Sequence, residues 1–215
     1  MEITKMTERR NDFLIEMYNQ MYNDIDRHIL VVWQSIGVLV SAFAIFALVE
    51  KEIISIDLAS AIIALLCAWL FAHLMDASYW YNRNLVIIAN IERQFLEVSD
   101  LKKIHYYFGV HRPSNRMITH LKIQMALGIG LGALVLLFHF STRVFPGFVE
   151  PWSTFDPART LPYLVSVGAF TYCSWLSRDR DSAYAEFLKN SPGEPVDTTG
   201  ISYGSGHGFG PSGGG

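Results

Sequence analysis

Residues 53–98 read IISIDLASAIIALLCAWLFAHLMDASYWYNRNLVIIANIERQFLEV, and the fold turns on how that stretch is taken. Between Asp57 and Val98 there is neither proline nor glycine, so nothing obliges a helix to stop. At ~1.5 Å per residue such a helix would be roughly 60 Å long, about twice a hydrocarbon core that ~20 residues cross. Its first half, Leu58 to Met75, is apolar apart from Ser60, Cys67 and His73 and reads as a membrane span. Its second half carries Asp76, Arg83, Glu92, Arg93 and Glu97 and belongs in water. The expectation is a helix that begins in lipid and continues as a cytosolic stalk.

Composition agrees with that expectation. Of 215 residues 51% are apolar and 17% charged, against a usual charged fraction near 25%. The charged N-terminus MEITKMTERRNDF reads as no signal peptide. Cys67 and Cys173 both fall in expected spans, where a reduced packing role fits better than a disulfide or a catalytic thiol.

Upstream, residues 1–28 form an expected cytosolic amphipathic helix. Phe13, Leu14, Met17, Tyr18, Met21, Tyr22, Ile25 and Ile29 recur at the spacing of one helical face, with Arg9, Asp12, Glu16 and Asp26 opposite. The span from Ile29 to Val49 follows and, with the next, makes a transmembrane hairpin over residues 29–76. Gln34 and Ser41 share a face of that first span. They either line a water-filled path or bond a neighbouring helix. Ser55 or Asp57 can cap the second span.

Downstream, residues 77–116 comprise the stalk and a basic, aromatic connection, LKKIHYYFGVHRPSN. Lys102, Lys103, His105, His111, Arg112 and Arg116 are interleaved there with Tyr106 and Tyr107. Cytosolic flanks of spans are basic and aromatic in any case. The same residues would also suit a phosphate-rich ligand, with bases holding phosphates and rings stacking. Ser114 is placed to cap a third span. Residues 117–177 read as a second transmembrane hairpin, with Thr160 capping its last helix. Gly128 and Gly132 form GxxxG in an apolar segment, the spacing for close helix packing, with a hinge as the alternative. Residues 178–191 read as a short cytosolic helix, and 192–215 as a disordered Gly/Pro-rich tail.

Orientation follows from the bases. Thirteen Lys and Arg lie before span one, between spans two and three, and after span four, against three in the alternate connections. That asymmetry places both termini in the cytosol. The expected fold is therefore an all-α membrane protein: four transmembrane helices with long cytosolic helical extensions, packed as a helical bundle.

No HExxH, CxxC, GxSxG or Walker loop occurs, and no catalytic residue, metal set or cofactor is expected, so an enzyme is not the reading. Two i, i+3 and i, i+4 pairs, His73 with Asp76 and His120 with Gln124, are candidate pore or gate residues. A plain hydrogen bond at the inner interface is the alternative for His73 and Asp76. The stalk has apolar residues on several sides, Leu85, Ile88 and Phe95 on one and Val86, Ile87 and Ile91 on others. One N-terminal helix covers only part of them, which implies a homo-oligomer around a pore or near-pore.

The run SYWYNRNLVIIANIERQF, with Tyr79, Ile88 and Glu92, resembles the small bacterial SLATT-type and RipA-like membrane proteins over about residues 10–105. That resemblance implies a multi-pass protein of the bacterial inner membrane, acting as a channel-like effector in anti-phage defence. It also implies a nucleotidyltransferase encoded nearby and a nucleotide or oligonucleotide ligand that gates the pore. A non-conducting scaffold or accessory subunit of a larger membrane complex is the alternative.

Overall fold

The computed structural model describes residues 2–34, 36–97, 99–100, 103–104, 114–149, 151 and 154–191. Regular structure among the described residues is helical: α1 (Glu2–Gln34), α2 (Ile36–Glu50), α3 (Ile56–Glu92), α4 (Thr119–His139) and α5 (Leu161–Asn190). A π turn (Phe140–Val144) and two 3₁₀ turns (Phe145–Val149 and Pro157–Thr160) join α4 to α5. Among the described residues two helical segments are long and apolar enough to cross a membrane, Ile56–Glu92 and Thr119–Val149. Val40–Glu50 is apolar but shorter.

The chain divides into two units. One holds residues 29–78 and 117–182, and α3 is its centre. Ala59, Ile63, Cys67, Leu70 and Leu74 are buried along one side of α3. Ile63 and Cys67 pack with Ala42 of α2 and Val135 of α4, and Leu70 and Leu74 with Leu121 of α4. Gly128 is buried where α4 crosses Leu70 and Phe71, and Gly132 faces Cys67. The outward faces keep Phe43, Leu134, Leu137, Val167 and Phe170 exposed, which suits contact with acyl chains.

The other unit holds residues 1–28, 79–116 and 183–215. Here the apolar sides of α3 that seemed to need other subunits are largely covered by the chain itself: Leu85, Val86, Ile88 and Ile91 are all buried. Tyr18 of α1 donates to Glu92 Oε1 (3.3 Å) and Asn90 Nδ2 donates to Ser191 Oγ (3.1 Å). The Arg83 guanidinium lies over Trp80 and over Phe187 of α5, and Tyr184 of α5 is 1% exposed. The C-terminal turns of α5 supply the cover that α1 alone lacked.

Local chemistry explains most boundaries. Ser55 caps α3, its Oγ accepting from Leu58 N at 3.2 Å. At the other end α3 stops at Glu92, short of Val98. Its exit is tightened by i→i+3 bonds from Gln94 N to Ile91 O and from Phe95 N to Glu92 O, so no proline or glycine is needed. α4 begins after extended Ile118 with no side-chain cap. Ser114 is therefore not its cap; nearby, Asn82 of α3 donates to Asn115 Oδ1 and Arg116 O, each at 3.0 Å. Thr160 donates to Pro157 O, and the cap belongs to Asp156, which accepts from Ala158 N and opens the 3₁₀ turn that runs into α5. α5 is one helix across both the stretch read as a fourth span and residues 178–190.

α2 closes with Ile53 N bonded to Leu48 O and Glu52 N to Val49 O, a Schellman turn. Its left-handed position, φ 57°, is held by Glu52 rather than glycine. A non-glycine residue there is strained by ~1–2 kcal/mol, part of which glycine loses again as chain entropy. Glu52→Gly is expected to stabilise the protein by about 0.5–1 kcal/mol, read as a raised thermal midpoint in detergent. An unchanged or lowered midpoint would contradict the strain.

Candidate functional site: a buried polar cluster

Within the first-described unit, five side chains from consecutive helix ends converge. Asp57 stands in the first turn of α3, His139 ends α4, Arg143 lies in the π turn, Asp156 caps the following 3₁₀ turn and Tyr163 opens α5. His139 is 0% and Asp57 2% exposed. His139 Nε2 is 2.8 Å from Asp57 Oδ1, and its Nδ1 is 3.0 Å from Tyr163 Oη. Arg143 grips the same carboxylate as a fork, Nε to Oδ1 at 3.2 Å and Nη2 to Oδ2 at 3.0 Å, and also reaches Asp156 Oδ2 at 3.3 Å.

The proton positions follow from the partners. A carboxylate held by an arginine fork only accepts, so His139 Nε2 carries the proton toward Asp57. Nδ1 lies within hydrogen-bond distance of the Tyr163 hydroxyl, so both ring nitrogens are satisfied. Asp57 also faces the positive end of the α3 dipole. Every polar side-chain atom of Asp57, His139 and Tyr163 is used, which makes the cluster a clamp on three helix ends and a continuous hydrogen-bond chain from Tyr163 to Asp57. Tyr163 lines a neighbouring hollow of ≈ 240 Å³ with Phe148, Thr154 and Arg159, so that chain has one end beside open space.

No family profile, curated protein or solved structure matches the chain.

The residues singled out from sequence lie elsewhere. Lys102, His105, Tyr106, Tyr107, His111 and Arg112 fall outside the described residues, as does the tail from residue 192. Lys103 and Arg116 are exposed. Gln34 ends α1, with its side chain outside what is described. Ser41 is exposed and donates to Gly37 O of its own helix at 2.9 Å. His73 rests against Trp69, ring centroids 4.1 Å apart, while Asp76 pairs with Arg180 of α5 at 3.4 Å. His120 and Gln124 are brought together, Gln124 Nε2 lying 3.3 Å from His120 Nε2. Gln124 is buried and its Oε1 has no hydrogen-bond partner among the described residues.

Of the buried cluster, sequence reasoning touched only Asp57, and only as a cap. A signal was present. Asp57 opens one apolar segment, His139 and Arg143 close the next, and Asp156 and Tyr163 open the one after. Successive up-and-down helices bring those ends together.

Proposed function

We propose that the chain is a four-pass protein of the bacterial inner membrane with both termini in the cytosol, whose copies assemble around a regulated pore. α2, α3, α4 and α5 would supply the spans. On this reading it is an effector of anti-phage defence, gated by a phosphate-rich ligand at Lys102, Lys103, His105, Tyr106, Tyr107, His111, Arg112 and Arg116.

One observation carries the assembly. In the unit assigned to the cytosol, Phe13, Ile15, Phe95 and Ile104 stay exposed, at 64%, 49%, 40% and 50%. Ile15, Phe95 and Ile104 line an apolar hollow of ≈ 400 Å³ beside Tyr18 and Glu92. Water-facing apolar side chains gathered around a hollow are a liability that a second copy removes. The wild type is expected to run as an oligomer in mild detergent, and Ile15→Glu with Phe95→Glu to run as a smaller species with unchanged helix content. A monomeric wild type of the same helicity defeats the assembly. In liposomes the oligomer is expected to conduct. Replacing Lys102, Lys103 and Arg112 by alanine is expected to abolish ligand control while leaving assembly intact.

A second reading, a non-conducting scaffold, is favoured by the fate of the hydroxyls. Ser41, Ser166 and Thr171 each donate to a carbonyl of their own helix, which withdraws those three hydroxyl protons from a water-filled path. Sealed liposomes containing assembled protein would decide for the scaffold.

A further inference from the structure

Two grooves, each of ≈ 700 Å³, flank α5 within the unit of residues 29–78 and 117–182. One runs between α3 and α5, past Trp69 and His73 to Asp76 and Arg180. Its arginine is already neutralised, Arg180 Nε lying 3.4 Å from Asp76 Oδ1 and 3.6 Å from Asp179 Oδ2. The other is walled by α3, α4 and α5, with Ala64, Gly132, Ala133 and Ala169 along its length. It ends at Ser174, Ser177 and Arg178, which share one face of α5. Arg178 makes no ion pair or hydrogen bond among the described residues. The grooves are alike in size and apolar lining; they differ in charge.

We propose that the second groove holds one acyl chain of an anionic phospholipid, whose phosphate is taken by Arg178 with the Ser174 and Ser177 hydroxyls beside it. This rests on the reading of this unit as membrane-embedded with Arg178 at its cytosolic edge. The dimensions fit. Ala64 to Met75 along α3 and Ser166 to Ser177 along α5 both line the groove, and each stretch rises about 16 Å. That is close to half of a ~30 Å hydrocarbon core, the depth of one leaflet. A guanidinium at the end of a leaflet-deep apolar groove complements a lipid phosphate in both charge and geometry. A second copy's span would fill the apolar part equally well, but it would bring no anion to Arg178.

The test uses the full chain in nanodiscs containing phosphatidylglycerol and phosphatidylcholine, with retained lipid read by native mass spectrometry after extraction into mild detergent. The wild type is expected to retain phosphatidylglycerol over phosphatidylcholine. Arg178→Gln should lower that retention roughly tenfold, the loss of one charge-assisted bond. Ala133→Trp, at an exposed wall position, should block the groove and remove the lipid with Arg178 intact. Arg180→Gln should change nothing. Equal retention in wild type, Arg178→Gln and Ala133→Trp overturns the proposal. So does efficient disulfide crosslinking between Ala133→Cys copies, which would give the groove to a second chain. Carbonate-resistant insertion into vesicles tests the membrane reading separately: insertion without Arg178-dependent lipid sinks the lipid site alone, and failure to insert sinks both.

Discussion

Asp57→Asn is expected to lower the thermal midpoint in mild detergent by roughly 6–12 °C. Asparagine is nearly the same shape, so packing hardly changes; the loss is electrostatic. Its amide oxygen can still accept from His139 Nε2, now 2.8 Å from Asp57 Oδ1. Its amide nitrogen, however, meets Arg143 Nη2, which donates to Oδ2 at 3.0 Å, and two donors face each other. Breaking a buried pair by removing one partner costs about 3–5 kcal/mol. The Arg143 side chain is 34% exposed, so it can turn toward water or Asp156, and the lower end, about 3 kcal/mol, is the better figure. For a chain of this length 1 kcal/mol moves the midpoint by about 2–4 °C. Two controls separate the cluster from mere surface charge. Asp156→Asn touches a carboxylate whose side chain is 42% exposed and should cost less than about 1 kcal/mol. Asp57→Asn combined with Arg143→Gln removes both charges and should recover more than half of the loss. If Asp57→Asn costs no more than Asp156→Asn, the clamp is not holding these helix ends.

That cluster also shows where sequence reading runs out. The helical path of α3 through the Met75–Asp76 junction was legible, because only proline or glycine would have forced a break and neither occurs. Where it stops was not: the turn after Glu92 is set by backbone bonds and by the tie from Tyr18 to Glu92, which no local residue type announces. The charged run from Arg178 to Asp181 looked like the end of an apolar span, yet charged residues are adequate helix formers, and α5 passes through them to Asn190. That longer α5 is what brings Phe187 under the Arg83 guanidinium. Asp57, His139, Arg143 and Tyr163 stand at the ends of three separate apolar segments, and their chemistry exists only once three helix ends meet. The pairing of His120 with Gln124 could be read from spacing alone, whereas Asp76 found its partner on another helix rather than at i−3.

The three glycines of α4 are expected to respond in opposite directions to the same added methyl group, although they sit within five residues. A Cβ at Gly128 would stand 2.7 Å from Phe71 Cε1 and 3.1 Å from Leu70 Cδ2. The Phe71 ring can swing a little for alanine, so Gly128→Ala should cost about 1 kcal/mol. Gly128→Val adds branches that the ring cannot clear while Leu70, 1% exposed, holds the other side; about 3 kcal/mol is expected, the upper end for overpacking. At Gly132 the nearest atom would be Cys67 Sγ at 3.8 Å, ordinary contact, and alanine there should be close to neutral. At Gly130 nothing lies within 4 Å. Alanine then only stiffens the helix and should stabilise by about 0.5–1 kcal/mol. Thermal midpoints of the four variants in one detergent give the ranking directly. If the close approach of α3 and α4 fixes this unit, Gly130→Ala rises, Gly132→Ala stays and both Gly128 variants fall. A hinge in α4 would instead make all three alanine variants stabilise alike, because each would remove freedom from a helix with no tight neighbour.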